Sequence, residues 1–501
     1  MLSLFRRNKE IIALVLICIP LFFVKNWEGS PRRDALHYSA VSKNIVTTNE
    51  WVLLQDQPGV LYGKKPPLMF WMIASFYTLF GVSFGVAKSV AGLLTVGLAV
   101  SVFLLARRLF DKDTGLLAGF MVVTCLQAVD TYGSVTLESA VTLSVVLSVY
   151  AIVRAVQDER PRWLLLIGIA AGLGTMVKPI ALLHVFAISI IALLCMKRKW
   201  LWHPCFLVSI LITGAIVLPW HLVAISVGGD EFVQVYFAQE MGERMEVGGH
   251  ILMGLAENLQ SLLIGTLPWM PLCLVALWPW RKRWEKLPKE LNLFFALWII
   301  EVLVTMAWPE KRYNRYTLLA HPALVIPGAW MAVNWMSTMA REKAARRIAY
   351  LAVAASVVMM AWPAPLHKWT GMEFVKGRHY LDEFMPGAPA AYFDPDYESG
   401  LSTTDSQWPV RSSSVYFLDR SVETYQTVAE LNELRVPFVF ARNLHADELL
   451  AQDWKRVLVE EEHIGLYQNP FLVESIEHED YEERIQSIRL RIQEMGEYPT
   501  L

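Results

Sequence analysis

Charge is scarce in this chain. Only 18% of its 501 residues are Asp, Glu, Lys or Arg, and 54% are hydrophobic. Soluble domains carry about a quarter charged residues, so a wholly soluble fold is excluded. The net charge is −2, and the cations sit in short loops rather than along one face. That distribution leaves no footprint for nucleic acid. Cysteine is also sparse. Cys18, Cys125, Cys195, Cys205 and Cys273 lie in or beside apolar segments and form no CxxC pair, so they read as small core residues without disulfides or a thiolate metal site. His37, His184, His221, His250 and His321 are scattered without ligand spacing. No metal site is expected, and a divalent cofactor is not indicated. There is no internal repeat, and no inverted pair of broken apolar segments of the transporter kind.

What the chain has is long apolar runs. Several reach the roughly 18–20 residues that cross a bilayer core. In lipid only helices or closed barrels satisfy their own backbone groups, so the runs predict a polytopic helical membrane protein. The 19 Trp and 17 Tyr suit belts at the two interfaces. Arg6, Arg7 and Lys9 precede the apolar run Ile11 to Val24, and no small-residue cleavage site follows it. This reads as an uncleaved first span with its N-terminus in the cytoplasm.

Lys and Arg in short loops set the remaining topology. Residues 68–80 are too short for a confident span and read as interfacial or re-entrant. Spans are expected near 84–106, 114–130, 138–156, 163–176, 179–196, 203–226, 259–280, 291–307, 317–336 and 348–363, about eleven in all. From about residue 366 the chain reads as a small soluble α/β domain on the outer side. Strands are expected at Val415–Leu418, Pro437–Ala441 and Ile464–Tyr467, and helices at Val422–Leu434 and Asp447–Trp454. Residues 472–501 are charge-rich, with a helix expected around Ile485 to Ile492.

On this topology Asp34, Lys64, Lys65, Glu138, Lys178, Glu240, Arg244, Lys311, Arg312 and Arg315 all fall at the outer ends of spans. Outer loops are normally poor in Lys and Arg. Ionisable residues beside the membrane core are functional candidates by default. Singly, each has a structural role open to it. Asp34 suits a helix cap, and Glu138 a first-turn acid. Lys178 and Arg244 suit snorkelling to head groups, and Arg315-Tyr316 an interface anchor. Together they predict an anion site with a base. Cations from several span ends would hold a lipid-linked phosphate, and a carboxylate among them would accept a hydroxyl proton.

The order of residues also resembles a family. Asp34-Ala35-Leu36-His37-Tyr38, then Trp51, then Lys65-Pro66-Pro67-Leu68-Met69-Phe70-Trp71 follow the first-loop pattern of the GT-C membrane glycosyltransferases of the protein O-mannosyltransferase and lipid A aminoarabinose transferase type. Lys178-Pro179, Leu218-Pro219-Trp220, Leu267-Pro268-Trp269, Phe232 to Arg244 and Arg315-Tyr316-Thr317-Leu318-Leu319 are similar to later parts of that family. The resemblance covers about residues 5–365. The family's first loop has Asp-Glu where this chain has Asp34-Ala35.

The resemblance implies an α-helical, GT-C-like membrane protein with about 11–13 transmembrane helices and a small C-terminal α/β domain. Residues 1–365 would form the membrane catalytic domain, with the active site carried by the outer loop 30–67, and residues 366–501 the soluble domain. It implies transfer of a sugar from a polyprenyl phosphate, such as undecaprenyl phosphate, to a lipid, glycan or protein acceptor, lipid A among them. Asp34 and Glu138 would be the catalytic acids. Tyr38, Lys65, Lys178, Glu240, Arg244, Lys311, Arg312, Arg315 and Tyr316 would bind substrate. The membrane would be a bacterial inner membrane, with the C-terminal domain periplasmic or extracellular. A transporter of lipid-linked sugars and an inactive scaffold of envelope assembly are the competing readings. The transporter requires polar residues through the bundle midplane, and the sequence has few there.

Overall fold

The computed structural model describes residues 9–24, 33–242, 250–277, 287–309, 312–335, 377–382, 390–395, 416, 418, 422–442, 445–459 and 464–469. The chain begins with α1 (Lys9–Cys18), which widens into a π turn over Ile19–Val24 where Pro20 lacks the N–H an α-ladder needs. Helix α2 (Arg33–Thr48) and a short hairpin, β1 (Gln55–Gln57) and β2 (Val60–Leu61), follow. Then come α3 (Leu68–Phe80), α4 (Phe84–Leu109), α5 (Lys112–Thr124), α6 (Leu126–Tyr132) and α7 (Glu138–Gln157). Next are α8 (Leu165–Val177), α9 (Ile180–Met196) and α10 (Pro204–Val233). The membrane part continues with α11 (Ile251–Gly265), α12 (Met270–Leu277), α13 (Lys289–Ala307) and α14 (His321–Trp335). The C-terminal part holds β3 (Ala390–Phe393), β4 (Glu423–Tyr425), α15 (Val428–Glu433), β5 (Phe438–Arg442), α16 (Ala446–Leu450), β6 (Lys455–Val459) and β7 (Ile464–Gln468).

Two compact units emerge: one of residues 1–29, 51–53 and 62–366, the other of 30–50, 54–61 and 367–501. The first is a helical membrane body. Among its described residues five helical stretches are long and apolar enough to cross a bilayer, and α5 with α6, bent by 63° at Cys125, make a sixth. Five shorter apolar helices of 10–17 residues accompany them. The chain is an integral membrane protein.

Lipid tails are as apolar as leucine, so close approach rather than water exclusion holds such helices together. Gly168 and Gly172 on α8 supply it against α10. A Cβ on Gly168 would collide with the Ser209 carbonyl oxygen, and one on Gly172 would stand 2.8 Å from Ile216. The Thr213 hydroxyl donates to the Gly168 carbonyl at 3.1 Å across the same seam. Gly115 and Gly119 on α5 repeat the arrangement against Phe103 and Ala99 of α4. Polar Lys178-Pro179 and Tyr313 to Ala320 interrupt the helices at the ends where α8, α9, α13 and α14 begin or stop. Pro179 explains the first break, since the residue before a proline is pushed out of the helical region. Lys178 is extended, with φ −154°.

The second unit is a mixed sheet in the order β4-β3-β5-β7-β6. Strands β4, β3 and β5 run parallel, and β7 and β6 close the sheet antiparallel. Phe393, Leu431, Val439, Leu449, Trp454 and Tyr467 fill its core. Thr427 and Glu430 form a capping box on α15. Helix α2 and the hairpin belong to this unit by contact. Asn44 Nδ2 donates to the carbonyls of Gln55 and Asp56, and Lys43 Nζ donates to the Tyr416 carbonyl at 3.3 Å. Gln57 donates to the Val422 carbonyl at 3.4 Å. The described contacts thus place much of the expected loop 30–67 with the C-terminal residues, while 51–53 and 62–67 stay with the helices.

Two expectations are corrected here. The span expected at 259–280 is two helices, α11 and α12, parted at Thr266 to Trp269, where Pro268 supplies no N–H to an α-ladder. The helix expected over Val422–Leu434 is strand β4 followed by the short α15, because Glu423 to Tyr425 extend beside β3. Strands β3 and β6 were not anticipated. The span near 348–363 and the charged helix in 472–501 lie outside the described residues, as do two of the four residues of the expected strand 415–418.

Candidate active site

The site builds from Glu138, the first residue of α7 and 3% exposed. An acid there meets the positive end of the helix dipole. Two cations reach its Oε1. Lys178 Nζ is 3.2 Å away, and Arg315 Nε is also 3.2 Å away. Lys178 ends α8 and is 8% exposed, and Arg315 lies in the 3₁₀ turn Asn314–Ala320 that leads into α14. Tyr316, in the same turn, offers its ring to Lys178, whose Nζ stands 3.9 Å from the centroid. The Arg315 guanidinium lies 4.9 Å from the Tyr313 ring centroid. Such stacking is favourable for Arg and Lys where water is partly excluded.

Among the described residues, the Glu138 carboxylate is shared by two cations, Lys178 and Arg315, and contacts between ionised groups of this kind are the strong ones.

The turn itself is fastened from two sides. Gln127 of α6 and Ser261 of α11 both donate to the Asn314 carbonyl, and the Thr317 hydroxyl lies 3.1 Å from Gln127 Oε1. Behind Glu138, the Tyr132 hydroxyl lies 3.4 Å from Thr142, whose hydroxyl donates to the Glu138 carbonyl. Reading for charge passed over these neutral groups. An isolated Gln inside an apolar run was the available signal.

Of the residues expected at the site, the structure brings together Glu138, Lys178, Arg315 and Tyr316. Arg312 is turned instead to Glu257 of α11, at 2.9 Å, and donates to the Pro309 carbonyl. Lys65 is buried and its Nζ donates to the Lys64 carbonyl at 2.9 Å. Its segment is bound to the helical body. Trp71 donates to the Trp51 carbonyl at 2.7 Å, Trp220 of α10 donates to the Val52 carbonyl at 3.0 Å, and a Cβ on Gly63 would stand 2.7 Å from Val235. Asp34 is the second residue of α2 and half-buried, and Tyr38 is buried one turn further, both in the second unit. Glu240 lies in the π turn Gln234–Met241. Arg244 and Lys311 lie outside the described residues. Among the described residues no group of three or more His, Cys, Asp and Glu is arranged to hold a metal ion.

Comparison with known proteins agrees with this architecture. The family model for dolichyl-phosphate-mannose-protein mannosyltransferase matches residues 64–222. An undecaprenyl phosphate-α-4-amino-4-deoxy-L-arabinose arabinosyl transferase of Pseudomonas fluorescens is 26% identical over 347 residues, covering 66% of this chain and 58% of that protein. The Pseudomonas aeruginosa transferase of the same name (strain PAO1) is 27% identical over 335 residues, covering 62% and 57%. The chain thus spans less than two thirds of the length of these relatives. The crystal structure of ArnT from Cupriavidus metallidurans bound to undecaprenyl phosphate superposes with a TM-score of 0.67 at 16% identity, covering 93% of this chain and 99% of that one. The oligosaccharyltransferase AglB of Archaeoglobus fulgidus gives a TM-score of 0.56 at 14% identity, covering 88% and 70%. The fold is that of the GT-C membrane glycosyltransferases. Within that class the chain is related to the protein O-mannosyltransferase and aminoarabinose transferase type.

Proposed function

We propose that this protein is a membrane glycosyltransferase that moves one sugar from a polyprenyl phosphate to an acceptor hydroxyl at the outer face of the membrane. The observation that carries the reading is the convergence of Lys178 and Arg315, from distant parts of the chain, on the buried carboxylate of Glu138. Its two cations suit the phosphate of the donor. They stabilise the negative charge that grows as the bond between anomeric carbon and phosphate oxygen breaks. By the resemblance, Lys65 and Arg244 are further phosphate ligands. Asp34 is the base. It accepts the acceptor's proton as the hydroxyl oxygen bonds to the anomeric carbon from the opposite face, and the configuration there inverts. The names of the relatives favour undecaprenyl phosphate as carrier and 4-amino-4-deoxy-L-arabinose as sugar. Lipid A, another glycan or a protein is the acceptor. The setting is a bacterial inner membrane, with the N-terminus cytoplasmic and the C-terminal unit outside.

The test is direct. Purified protein is incubated in detergent with undecaprenyl-phosphate sugars labelled in the sugar, the aminoarabinose form first, and lipid A. Appearance of label on the acceptor with release of undecaprenyl phosphate is the expected result. Intact donor across the sugars tried, with lipid A and with other acceptors, overturns the proposal.

A further inference from the structure

Away from the cluster, one ionisable contact lies within the apolar stretches of two helices. His184 of α9 is fully buried, and its Nδ1 stands 3.0 and 3.2 Å from the two carboxylate oxygens of Glu301 of α13. Its Nε2 has no hydrogen-bond partner among the described residues. Among the described residues, Glu301 is the ring's one hydrogen-bond partner. Taking an acid and an imidazole into a bilayer is costly, so the pair needs an explanation.

The elements it joins supply one. Helix α9 starts immediately after Lys178, and His184 lies six residues on, about 9 Å along the axis. On α13, Trp298 precedes Glu301 by three positions, which places the two on neighbouring parts of one helix face. Trp298, also fully buried, donates its indole N–H to the Leu319 carbonyl at 3.0 Å. Leu319 belongs to the 3₁₀ turn that carries Arg315 and Tyr316. So within one turn of α13, Glu301 grips the helix behind Lys178 and Trp298 grips the turn bearing Arg315. Asn258 of α11 donates to the Leu303 carbonyl at 3.3 Å and steadies the same stretch of α13.

We propose that α13 is a splint: Glu301, through His184, and Trp298, through Leu319, are positioning residues that set the separation of Lys178 and Arg315. The inference rests on reading those two cations as the phosphate site. Neither Glu301 nor Trp298 touches the phosphate. Each acts through the cation it helps to place.

The experiment measures equilibrium binding of radiolabelled undecaprenyl phosphate to the purified full-length protein in detergent. Lys178→Ala weakens binding and so calibrates the site. Glu301→Leu weakens it by about tenfold to a hundredfold, the scale of an ångström-sized misplacement. Glu301→Gln, whose amide oxygen still accepts from His184, restores it. In the Lys178→Ala background Glu301→Leu has much less effect, because the group it places is gone. If Glu301→Leu does not fold, Trp298→Phe removes only the indole N–H and ring bulk, and it too weakens binding. Parent-like binding by both Glu301→Leu and Trp298→Phe, with Lys178→Ala impaired, overturns the splint and leaves the phosphate site standing. Fully additive losses in the double variant overturn it likewise. Parent-like binding by Lys178→Ala overturns the phosphate site itself.

Discussion

Lys178 and Glu138 meet at 3.2 Å although forty positions separate them in the chain. Each ends or begins a helix, and both are nearly enclosed by protein. Removing one partner of such a buried pair leaves an uncompensated charge, which typically costs about 3–5 kcal/mol. Here Arg315 stays on Glu138 when Lys178 is lost, so the two single variants differ. Glu138→Gln removes the carboxylate that both cations share and lowers the thermal midpoint in detergent more than Lys178→Met does. The double variant recovers part of the loss. Thermal unfolding of the four proteins forms the cycle, and additive losses would refute the coupling.

Arg315 and Arg312 offer a test of the proposed phosphate site. Arg315 sits on Glu138, whereas Arg312 sits on the partly exposed Glu257. Arg315→Ala is expected to raise the donor KM severalfold or more. Arg312→Ala, losing a pair of the partly exposed kind worth about 0–1 kcal/mol, changes stability little. Steady-state kinetics on both variants checks this, and equal KM values would count against the assignment.

Asp34 is proposed as the base. Asp34→Asn should reduce turnover by two or more orders of magnitude, since general-base catalysis contributes about 10²–10⁴-fold. Expression and binding of undecaprenyl phosphate should be spared. Undiminished transfer would remove Asp34 from the chemistry.

Gly168 tests the packing. A side chain there runs into the Ser209 carbonyl oxygen of α10, which is backbone and has little room to yield. Gly168→Val should cost about 1–3 kcal/mol or more by overpacking. A lowered melting temperature reads it out. Gly59, with φ +82° and nothing near its Cβ position, gives the contrasting case. A Gly59→Ala variant strains one exposed turn without disturbing the helical body.

Much of this architecture is legible in the linear chain because hydrophobic patterning is local. Apolar runs mark α4, α7, α8, α9 and α13 within a few residues, and the start of α10, since a bilayer demands a minimum length of any crossing helix. Lys178-Pro179 marks a helix break for an equally local reason, the steric effect of proline on the residue before it. The divided α11 and α12 were harder to see. Their joint hydropathy reads as one span, and the break depends on four residues. Strand β4 was read as helix because pairing with β3, not its own residues, holds it extended.

By itself the sequence determined that the chain is a bundle of membrane helices with charged residues collected at particular helix ends. It did so because water, lipid and backbone hydrogen bonding act on each short stretch separately. Which charges meet was decided only in three dimensions. Arg315 and Arg312 are three positions apart, yet one faces Glu138 and the other Glu257. Glu301 and His184 are 117 positions apart and touch. Those outcomes follow from how closely the helices approach and how they are rotated, quantities set by packing among distant segments.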